Sequence, residues 1–548
     1  MTLKRIKDPL YGYITISSDI VNSIIDSASF QRLRRITQTS YAPLYSSAVH
    51  NRFVHSLGVY NLGKIACKSL RNEIEIKISN KELCINEDVD NFLDGVERVF
   101  LIACLLHDVG HAPFSHTGEE FYLESNGSYN SIHLLLEKTV NNQSFSNDIP
   151  KEKSDSAAPH EIMSAIVGLK EYPTTFSSSE DAGLFARCIT GYKYSEPSVE
   201  NSIKNCFIQL LNSKVIDVDK LDYLIRDAYI TGYNTVKLDY ERLLSAITIV
   251  CEDGLNCELA YHKSAISVIE NVVYAHDSER KWIQSHPIIL YESYILQSVM
   301  NMLAKELDTE ENKLFSLDAL SEKGSILKNG ELVRLLSDDD IIVLMKKNYD
   351  KSSLIHEYFD RNSRRRPLWK SEAEYKAYFL DVVAKGGLLD AIEKAMKATS
   401  EYLSKNTENW VIDNKLVDTI REEICQLSSH DFDPATKKAQ KEQKESILKV
   451  IDCLMDYAKE IGYKGDFVLI KASQFNSGFL KPDFSGTKIV FQNSNTTKIV
   501  PFGEKVSSLS GITRERADYF YLFYDTKNIG EKAFSIDALS RSLIRTFV

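Results

Sequence analysis

The chain has 548 residues, a formal net charge of −11 at pH 7, and 43% hydrophobic and 26% charged residues, an ordinary composition for a globular protein. The negative charge argues against a general nucleic-acid coat, which needs a basic field to bind phosphates. No apolar run reaches about 18 residues and no apolar leader is present, so we expect no membrane span or anchor. Nine cysteines without a CxxC pair predict reduced thiols and a cytoplasmic protein.

The first predicted helix follows a short extended lead over residues 1–17. Its apolar positions keep helical spacing over residues 18–38, behind a Ser-Asp cap. Its flank carries Asp26, Gln31 and Arg34. On any surface helix such residues form an ordinary solvated face, and the residues alone leave that interpretation open.

The next two predicted helices each carry a histidine at one end. One begins near His55, and the other, over residues 92–107, ends in the adjacent pair His107-Asp108, with His111 and His116 just beyond. A lone histidine at a helix start is more often structural than a ligand, so the case for His55 depends on its neighbours. Imidazole and carboxylate groups without thiolates suit a divalent transition metal with open positions for water and phosphate.

A polar stretch over residues 140–159 is predicted to be an exposed loop, after which His160 restarts a helix. Further on, Asp219, Tyr223 and Asp227 recur every fourth residue and therefore share one helical face. A solvated, salt-bridged surface is the common explanation of such a face. The alternative is a single site toward which all three side chains point.

More helices are predicted over residues 304–420, which include Arg364-Arg365-Arg366, either a solvated charge run or an anion pocket. Residues 430–446 resemble a linker, and residues 447–461 a helix. The β-like segments 466–471, 488–491 and 519–524 predict a small lobe. The predicted fold class is mainly α, with a large helical core and a small C-terminal α+β lobe.

Three segments in order, residues 50–58, 107–116 and 217–223, carry a resemblance to a known family. The order of His55, His107-Asp108 and Asp219, with helices as carriers, is similar to the HD superfamily. The three segments together resemble its deoxynucleoside triphosphate triphosphohydrolases, most of all those that join a sterile-alpha-motif domain to the HD domain. We expect that extra domain to be absent from this chain.

The resemblance covers residues 1–300 well and the segment from about Gly465 more loosely. It implies an HD-domain catalytic core over residues 1–303. It further implies a helical extension over 304–430 that contacts activator phosphates, and an α+β lobe over 447–548.

For the chemistry, the resemblance implies four metal ligands: His55, His107, Asp108 and Asp219. The metal would be Fe, Mn, Zn or Co, with Mg accompanying the nucleotide. Water activated by the metal would attack the α-phosphorus and release deoxynucleoside and triphosphate. The implied catalytic residues are His111, His116, Glu119 and His160. Of these, His116 would protonate the departing 5′-oxygen. Glu119, at a position where the family more often has Asp, would orient the His116 ring.

The resemblance also implies the binding residues. Those for substrate are Gln38, Arg52, Lys220, Tyr223, Asp227 and Gln284. Gln284 stands where the family usually has a tyrosine against the sugar. Those for a nucleotide activator are Lys4, Lys7, Asp26, Gln31 and Arg34. A homo-oligomer, tetramer or dimer, is expected with the activator.

The predicted function is metal-dependent hydrolysis of deoxynucleoside triphosphates, in nucleotide-pool control or antiphage defence. One alternative keeps the metal site and changes the substrate to a cyclic nucleotide, an alarmone or single-stranded nucleic acid. Another is a catalytically idle nucleotide sensor that only switches assembly.

Overall fold

The computed structural model describes residues 2–547 except for 86–87, 126–128, 153–155, 215, 234–236, 252–255, 379–387, 407–410, 427–433, 473–485, 494–495, 506–518 and 529–534. The fold is mainly α, as predicted. Two compact units are each assembled from separate segments. The first comprises residues 1–279, 303–344 and 476–514, and the second comprises 280–302, 345–475 and 515–548. The domain boundaries implied by the resemblance stay a prediction.

Helices make up most of the first unit. Three of them carry the candidate metal ligands and are named here the His55 helix (Arg52–Ser79), the His107 helix (Val89–Leu106) and the Asp219 helix (Val218–Thr231). The other α-helices that the structure describes there are Ser18–Ile20, Ala28–Gln31, Glu120–Ser125, Tyr129–Val140, Gln143–Asp148, Pro159–Glu171, Ser179–Thr190, Val199–Leu211, Tyr240–Ser245, Ile266–Glu279, Leu317–Leu320 and Phe502–Lys505. Two further helices, Pro287–Leu307 and Asp338–Lys347, contribute residues to both units.

Strands complete the first unit. An antiparallel hairpin joins Leu3–Asp8 to Gly12–Ser17, and Ser325–Ile326 pairs with Leu332–Val333. A four-stranded sheet has the order Thr496–Pro501, Lys488–Asn493, Cys257–His262, Ile247–Cys251. Its second and third strands are parallel, and the other neighbours are antiparallel. The strand predicted near residue 488 therefore forms, within the sheet of the first unit.

One disulfide departs from the expectation of reduced thiols. Cys251 and Cys257 face each other across the hairpin of the four-stranded sheet, with 4.3 Å between their Cα atoms, and are bonded. Directly opposed strand residues lie close enough for such a bond, which the CxxC criterion overlooks. Of the free cysteines that the structure describes, five are buried, as predicted.

The second unit combines helices with a four-stranded sheet. The sheet has the order Arg366–Pro367, Tyr519–Tyr524, Phe467–Ala472, Val411–Ile412 and is antiparallel throughout. Its α-helices are Ser353–Phe359, Glu372–Tyr378, Leu388–Asn406, Asn414–Gln426, Pro434–Ile461 and Ile536–Phe547, and a π-helical turn spans Arg280–Gln284. The strands predicted near residues 466 and 519 are confirmed. The predicted linker over residues 430–446 is instead helical from Pro434, and residues 430–433 lie outside the described part.

Two of the three consecutive arginines, Arg364 and Arg365, are ion-paired within the second unit, and Arg366 is exposed. Arg364 is ion-paired with Glu292, and Arg365 with Glu357 and Asp466, the latter at 2.6 Å. Of the three guanidinium groups in the anion-pocket interpretation, those of Arg364 and Arg365 are therefore already paired with carboxylates.

Two predicted elements differ in their local structure. The single helix expected over residues 18–38 is broken into short turns, because Asp26 leaves helical geometry and Ser27 caps a new turn by accepting the N–H of Phe30. The polar stretch expected to be a loop contains the helix Gln143–Asp148, which buries Phe145. Among the helices that the structure describes, none is long and apolar enough to cross a membrane.

Candidate active site

Helix ends in the first unit bring the four candidate metal ligands together. His55 lies in the first turn of the His55 helix and Asp219 in the first turn of the Asp219 helix, while His107 ends the His107 helix, with Asp108 next. All three helices are started by side-chain caps, which set the direction of their first turns. The ligands therefore sit where the backbone is well defined.

The ligand atoms converge within a few ångströms. The Nε2 atoms of His55 and His107 lie 3.2 Å apart. Oδ1 of Asp219 lies 2.9 Å from the first and 3.5 Å from the second. Oδ2 of Asp108 lies 3.6 Å from Nε2 of His55, and its Oδ1 lies 3.6 Å from Nε2 of His107. Two imidazoles and two carboxylates facing one point form a donor set suited to a divalent transition metal.

The Nδ1 atoms of His55 and His107, which face away from the other candidate ligands, each lie next to a hydrogen-bond acceptor. Nδ1 of His55 lies 2.7 Å from a carboxylate oxygen of Asp222, and Nδ1 of His107 lies 3.0 Å from the carbonyl of Cys104. Such partners place the proton on Nδ1 and direct Nε2 toward a metal. Burial lowers the pKa of His55, but hydrogen bonds to Asp219 and Asp222 raise it more, to about 10. The site thus attracts positive charge at Nε2, as a metal site does.

Asp108 is fixed by a buried arginine. Nη1 of Arg52 donates to Asp108 at 2.7 Å, and its Nε donates to Ser115 at 2.8 Å. Burial would raise the pKa of Asp108, yet Arg52, His107 and His55 hold it at about 2. Arg52, predicted to grip the substrate's triphosphate, is 3% exposed and here orients a candidate metal ligand.

A second cluster adjoins the candidate metal ligands and contains the four predicted catalytic residues: His111, His116, Glu119 and His160. The rings of His111 and His160 stack with centroids 4.2 Å apart, and each lies 5.2 Å from the ring of His116. Glu119 bridges two of them, bonding Nδ1 of His116 through one oxygen and lying 2.9 Å from Nδ1 of His160 through the other. Glu119 therefore orients both rings.

The three imidazoles differ in charge. Burial lowers the pKa of His160, but Glu119 raises it more, to about 9, so His160 is cationic at neutral pH. Burial, followed by the neighbouring cations Arg52 and His160, lowers the pKa of His111 well below its usual range. Among the described residues, neither ring nitrogen of the fully buried His111 has a hydrogen-bond partner. Such buried nitrogens, left unsatisfied, favour a polar ligand at this cluster.

A left-handed turn presents this cluster. Phe114 and Ser115 adopt positive φ angles of 56° and 55°, which are costly for residues other than glycine. Asp338 holds the turn by accepting the N–H of Phe114 at 2.6 Å and that of Thr37 at 2.9 Å. The hydroxyl of Ser115 also donates to the carbonyl of Thr37.

The substrate-binding candidates of the Asp219 helix are partly engaged. Nζ of Lys220 donates to the carbonyl of Ser213 at 2.7 Å and to Asp217 at 2.5 Å. Asp227 is buried and lies 2.6 Å from Nε2 of His50. Burial, followed by nearby Glu279 and Asp219, raises the pKa of Tyr223 well above its usual value, so its phenol stays protonated.

Gln38 and Gln284 differ in their placement. Gln38 is 5% exposed, and within the described part of the chain its Oε1 has no hydrogen-bond partner; its role in substrate binding stays a prediction. Gln284 belongs to the π-helical turn of the second unit, so its role in the substrate site stays a prediction.

The predicted activator residues lie near one another in the first unit. Nζ of Lys4 lies 3.7 Å from Asp26, and Nε of Arg34 donates to Gln31 at 2.8 Å. The charge of Asp26 also acts on Arg34. Lys7, on the same strand as Lys4, lies over the ring of Tyr13.

Several residues escaped the sequence analysis although they hold the site. Asp222, His50, Ser115 and Asp338 each bond a candidate ligand, a candidate substrate residue or the turn between them. Only Asp222 had a usable signal, because it lies three residues after Asp219 on the same helix.

A family model described as HD domain matches residues 52–152. An uncharacterized protein of Bacillus subtilis is 28% identical over 311 residues, which cover 56% of this chain and 57% of that protein. The deoxynucleoside triphosphate triphosphohydrolase SAMHD1 of Gallus gallus is 31% identical over 259 residues, 46% of this chain and 38% of that protein. The human protein of the same name is 28% identical over 306 residues, covering 52% and 42%. The chain thus spans about half the length of the curated relatives it matches.

Two solved structures share the fold. One is a hypothetical protein from Aquifex aeolicus, with a TM-score of 0.53 and 18% identity over 98% of this chain and 100% of that one. The other is a phosphohydrolase from Bacteroides thetaiotaomicron, with a TM-score of 0.52 and 18% identity over 96% and 100%. The chain therefore contains an HD domain at residues 52–152 and is similar in sequence to deoxynucleoside triphosphate triphosphohydrolases.

Proposed function

We propose that the protein hydrolyses deoxynucleoside triphosphates to deoxynucleoside and triphosphate. The observation that carries this proposal is the convergence of His55, His107 and Asp219 beside a cluster of three histidines, two of which, His116 and His160, are bridged by Glu119. The sequence similarity to triphosphohydrolases supports the choice of substrate.

His55, His107, Asp108 and Asp219 would hold a divalent metal, which would supply an activated water and offset charge on the phosphate. His160, cationic at neutral pH, attracts the phosphate oxygens, and His111 offers them a buried ring nitrogen. His116, whose side chain is 69% exposed, delivers a proton to the departing 5′-oxygen while Glu119 holds its Nδ1. Lys220 draws the remaining phosphates toward the Asp219 helix.

Product analysis tests the proposal. Metal-loaded protein is incubated with each deoxynucleotide separately and in mixtures, and the products are resolved. Free triphosphate is expected. Monophosphate with pyrophosphate would place the protein among other nucleotide hydrolases, and no product in any mixture would support an idle sensor; either result overturns the proposal. The matched control is Asp219→Ala, which should lose metal and activity together because it removes a metal ligand.

We further propose that a nucleotide activator binds the surface formed by Lys4, Lys7, Asp26, Gln31 and Arg34 and drives assembly of a homo-oligomer. The observation behind it is the proximity of an acceptor, Asp26, to the cation Lys4, whose Nζ lies 3.7 Å from its carboxylate. Light scattering and turnover rate, measured with each common nucleoside and deoxynucleoside triphosphate, test it. If neither changes with any nucleotide, the activator proposal is wrong while the hydrolysis proposal stands.

A further inference from the structure

The first unit contains a cavity of about 510 Å³ that the proposed reaction does not use. Five segments of the first unit bound it: the N-terminal end of the helix Pro159–Glu171, the residues after Ser179–Thr190, the end of Val199–Leu211, and the strands Cys257–His262 and Lys488–Asn493. The volume falls within the range of about 300–1,000 Å³ that is usual for small-molecule sites.

The charged residues in the walls of this cavity are three lysines and two glutamates. Lys193, Lys214 and Lys488 line it. Glu258 compensates one of them, because its carboxylate lies 3.1 Å from Nζ of Lys488. Lys193 and Lys214 are exposed at the cavity. In a protein of net charge −11, this local excess of ammonium groups favours an anionic ligand.

The second glutamate of the cavity is already satisfied. One oxygen of Glu161 accepts the N–H of Ala158 at 2.6 Å, and the other accepts Nδ2 of Asn212 at 2.8 Å. Burial is the largest cause that raises the pKa of Glu161. Its carboxylate therefore opposes an anion less than an open carboxylate would. Tyr192 and Tyr261 add aromatic surface to the same walls.

The cavity is connected to the active site by shared residues. Glu161 and Asn212 also line the small cleft that contains His107, Asp219 and Lys220. Ser213 lines the cavity, and its carbonyl accepts Nζ of Lys220 at 2.7 Å. The N–H of Ser213 donates to Asp217 at 3.0 Å, and Asp217 also bonds Lys220. A ligand that displaces the turn at Ser213 must therefore change the hydrogen bonds of Lys220.

We infer that this cavity is an anion site for a polyphosphate group, either inorganic or carried by a nucleotide, and that its occupancy adjusts Lys220 through Ser213 and Asp217. The binding part stands without the proposed hydrolysis. The adjustment of substrate affinity rests on it.

Isothermal titration calorimetry of the full metal-loaded chain tests binding, with inorganic tripolyphosphate, ATP and adenosine as separate probes. The double variant Lys193→Gln/Lys214→Gln should weaken one binding event at least tenfold. Lys68→Gln, a change at an exposed lysine of the His55 helix, is the matched control and should leave it unchanged. Gln209 also lines the cavity, and Gln209→Trp should abolish the same binding event because the larger side chain fills the space. Melting curves verify that each variant is folded.

The probes separate the two sources. Binding of both tripolyphosphate and ATP assigns the site to the phosphate chain, and binding of ATP alone assigns it to a nucleotide. Adenosine should not bind. An isotherm that is the same in the wild-type chain, the double variant and Gln209→Trp overturns the proposal, whether or not the protein hydrolyses deoxynucleotides.

Turnover measurements test the connection to Lys220. With no added anion, the double variant should keep the wild-type kcat and KM. Added tripolyphosphate should change the KM of the wild-type chain beyond simple competition, and the double variant should show competition only. Identical responses in the two proteins would overturn the connection.

Discussion

Oδ2 of Asp222 lies 2.7 Å from Nδ1 of His55, on the side of the imidazole away from the other candidate metal ligands. The carboxylate is fully buried and is itself held by Arg226 at 2.9 Å and by the phenol of Tyr11 at 2.8 Å. Burial would raise the pKa of Asp222, but Arg226 and His55 hold it at about 2. An ionised Asp222 thus fixes the tautomer of His55 and keeps its Nε2 directed at the other candidate metal ligands.

Asp222→Asn should therefore lower the affinity for the metal by about 10- to 100-fold, the usual effect of removing a carboxylate behind a histidine ligand. Competition with a chelator measures the affinity. The variant keeps the size of the side chain, so a melting temperature near that of the wild type is the control. Equal metal affinity in the two proteins would mean that Asp222 serves only the packing.

Gly58, on the His55 helix, packs directly against the carboxylate of Asp222. A Cβ atom at Gly58 would lie 1.8 Å from Oδ1 of Asp222 and 2.6 Å from Arg226. Gly58→Ala should displace Asp222 and so reduce metal affinity and stability without changing any ligand. Gly95→Ala is the matched control on the His107 helix, because its Cβ would meet nothing within 4 Å. We expect that control to be neutral or more stable by up to about 1 kcal/mol. Metal titration and thermal melting of both variants decide the matter, and a Gly58→Ala protein with normal metal affinity would contradict it.

His116→Ala should lower kcat by about 10²- to 10⁴-fold, the range expected for loss of a general acid. Metal content should stay at the wild-type level, because His116 bonds Glu119 rather than a candidate metal ligand. Steady-state kinetics with metal analysis measures both. A loss of metal in this variant would refute the assignment of His116 to the leaving group.

Glu119→Gln should change the pH profile. Glu119 keeps the pKa of His160 at about 9, so His160 stays cationic until the pH passes that value. Without the carboxylate, the pKa of His160 should fall toward its usual range, and the ring should lose its charge at lower pH. The alkaline limb of kcat/KM should accordingly move to lower pH in the variant. Glu119→Asp, which keeps the charge, should restore the position of the limb, and superimposable profiles for all three proteins would exclude this role.

Asp338 should make stability depend on pH. Burial raises its pKa from 3.8 to about 6 despite hydrogen bonds from Thr37 and Phe114. The folded protein therefore holds this proton more tightly than the unfolded chain. Its stability should rise as the pH falls from about 6 to about 4. Asn does not titrate, so relative to Asp338→Asn the wild type should gain about 3 kcal/mol over that interval. Denaturant unfolding of both proteins from pH 4 to pH 7.5 measures the gain, and parallel curves would contradict it.

The carriers of the candidate ligands were predictable because each has a local signal. The spacing of apolar residues predicted the His107 helix, and the recurrence of Asp219, Tyr223 and Asp227 at every fourth residue predicted the Asp219 helix; both helices are present. The mainly α fold follows from the same periodicity.

The supporting residues were not predictable, because their partners are distant in the chain. Asp338 bonds Phe114 across 224 positions, and Tyr11 bonds Asp222 across 211. The break in the helix near Asp26 was missed for a different reason. The apolar spacing there is regular, but a local cap at Ser27 starts a new helical turn. The spacing of hydrophobic residues predicts which side of a helix is buried, but it does not predict whether the helix runs unbroken.

The parallel pairing of the strands Cys257–His262 and Lys488–Asn493 has a consequence for biosynthesis. About 225 residues separate the two strands, which at roughly 5–20 residues per second correspond to roughly 10–45 s of translation. During that interval one edge of the strand Cys257–His262 has unpaired backbone groups, the kind of edge that recruits foreign strands. The HD domain is thus synthesised early, whereas the sheet of the same unit is completed only when the strand Lys488–Asn493 is available. A ribosome-bound chain therefore needs protection at this strand edge until residue 493 has emerged.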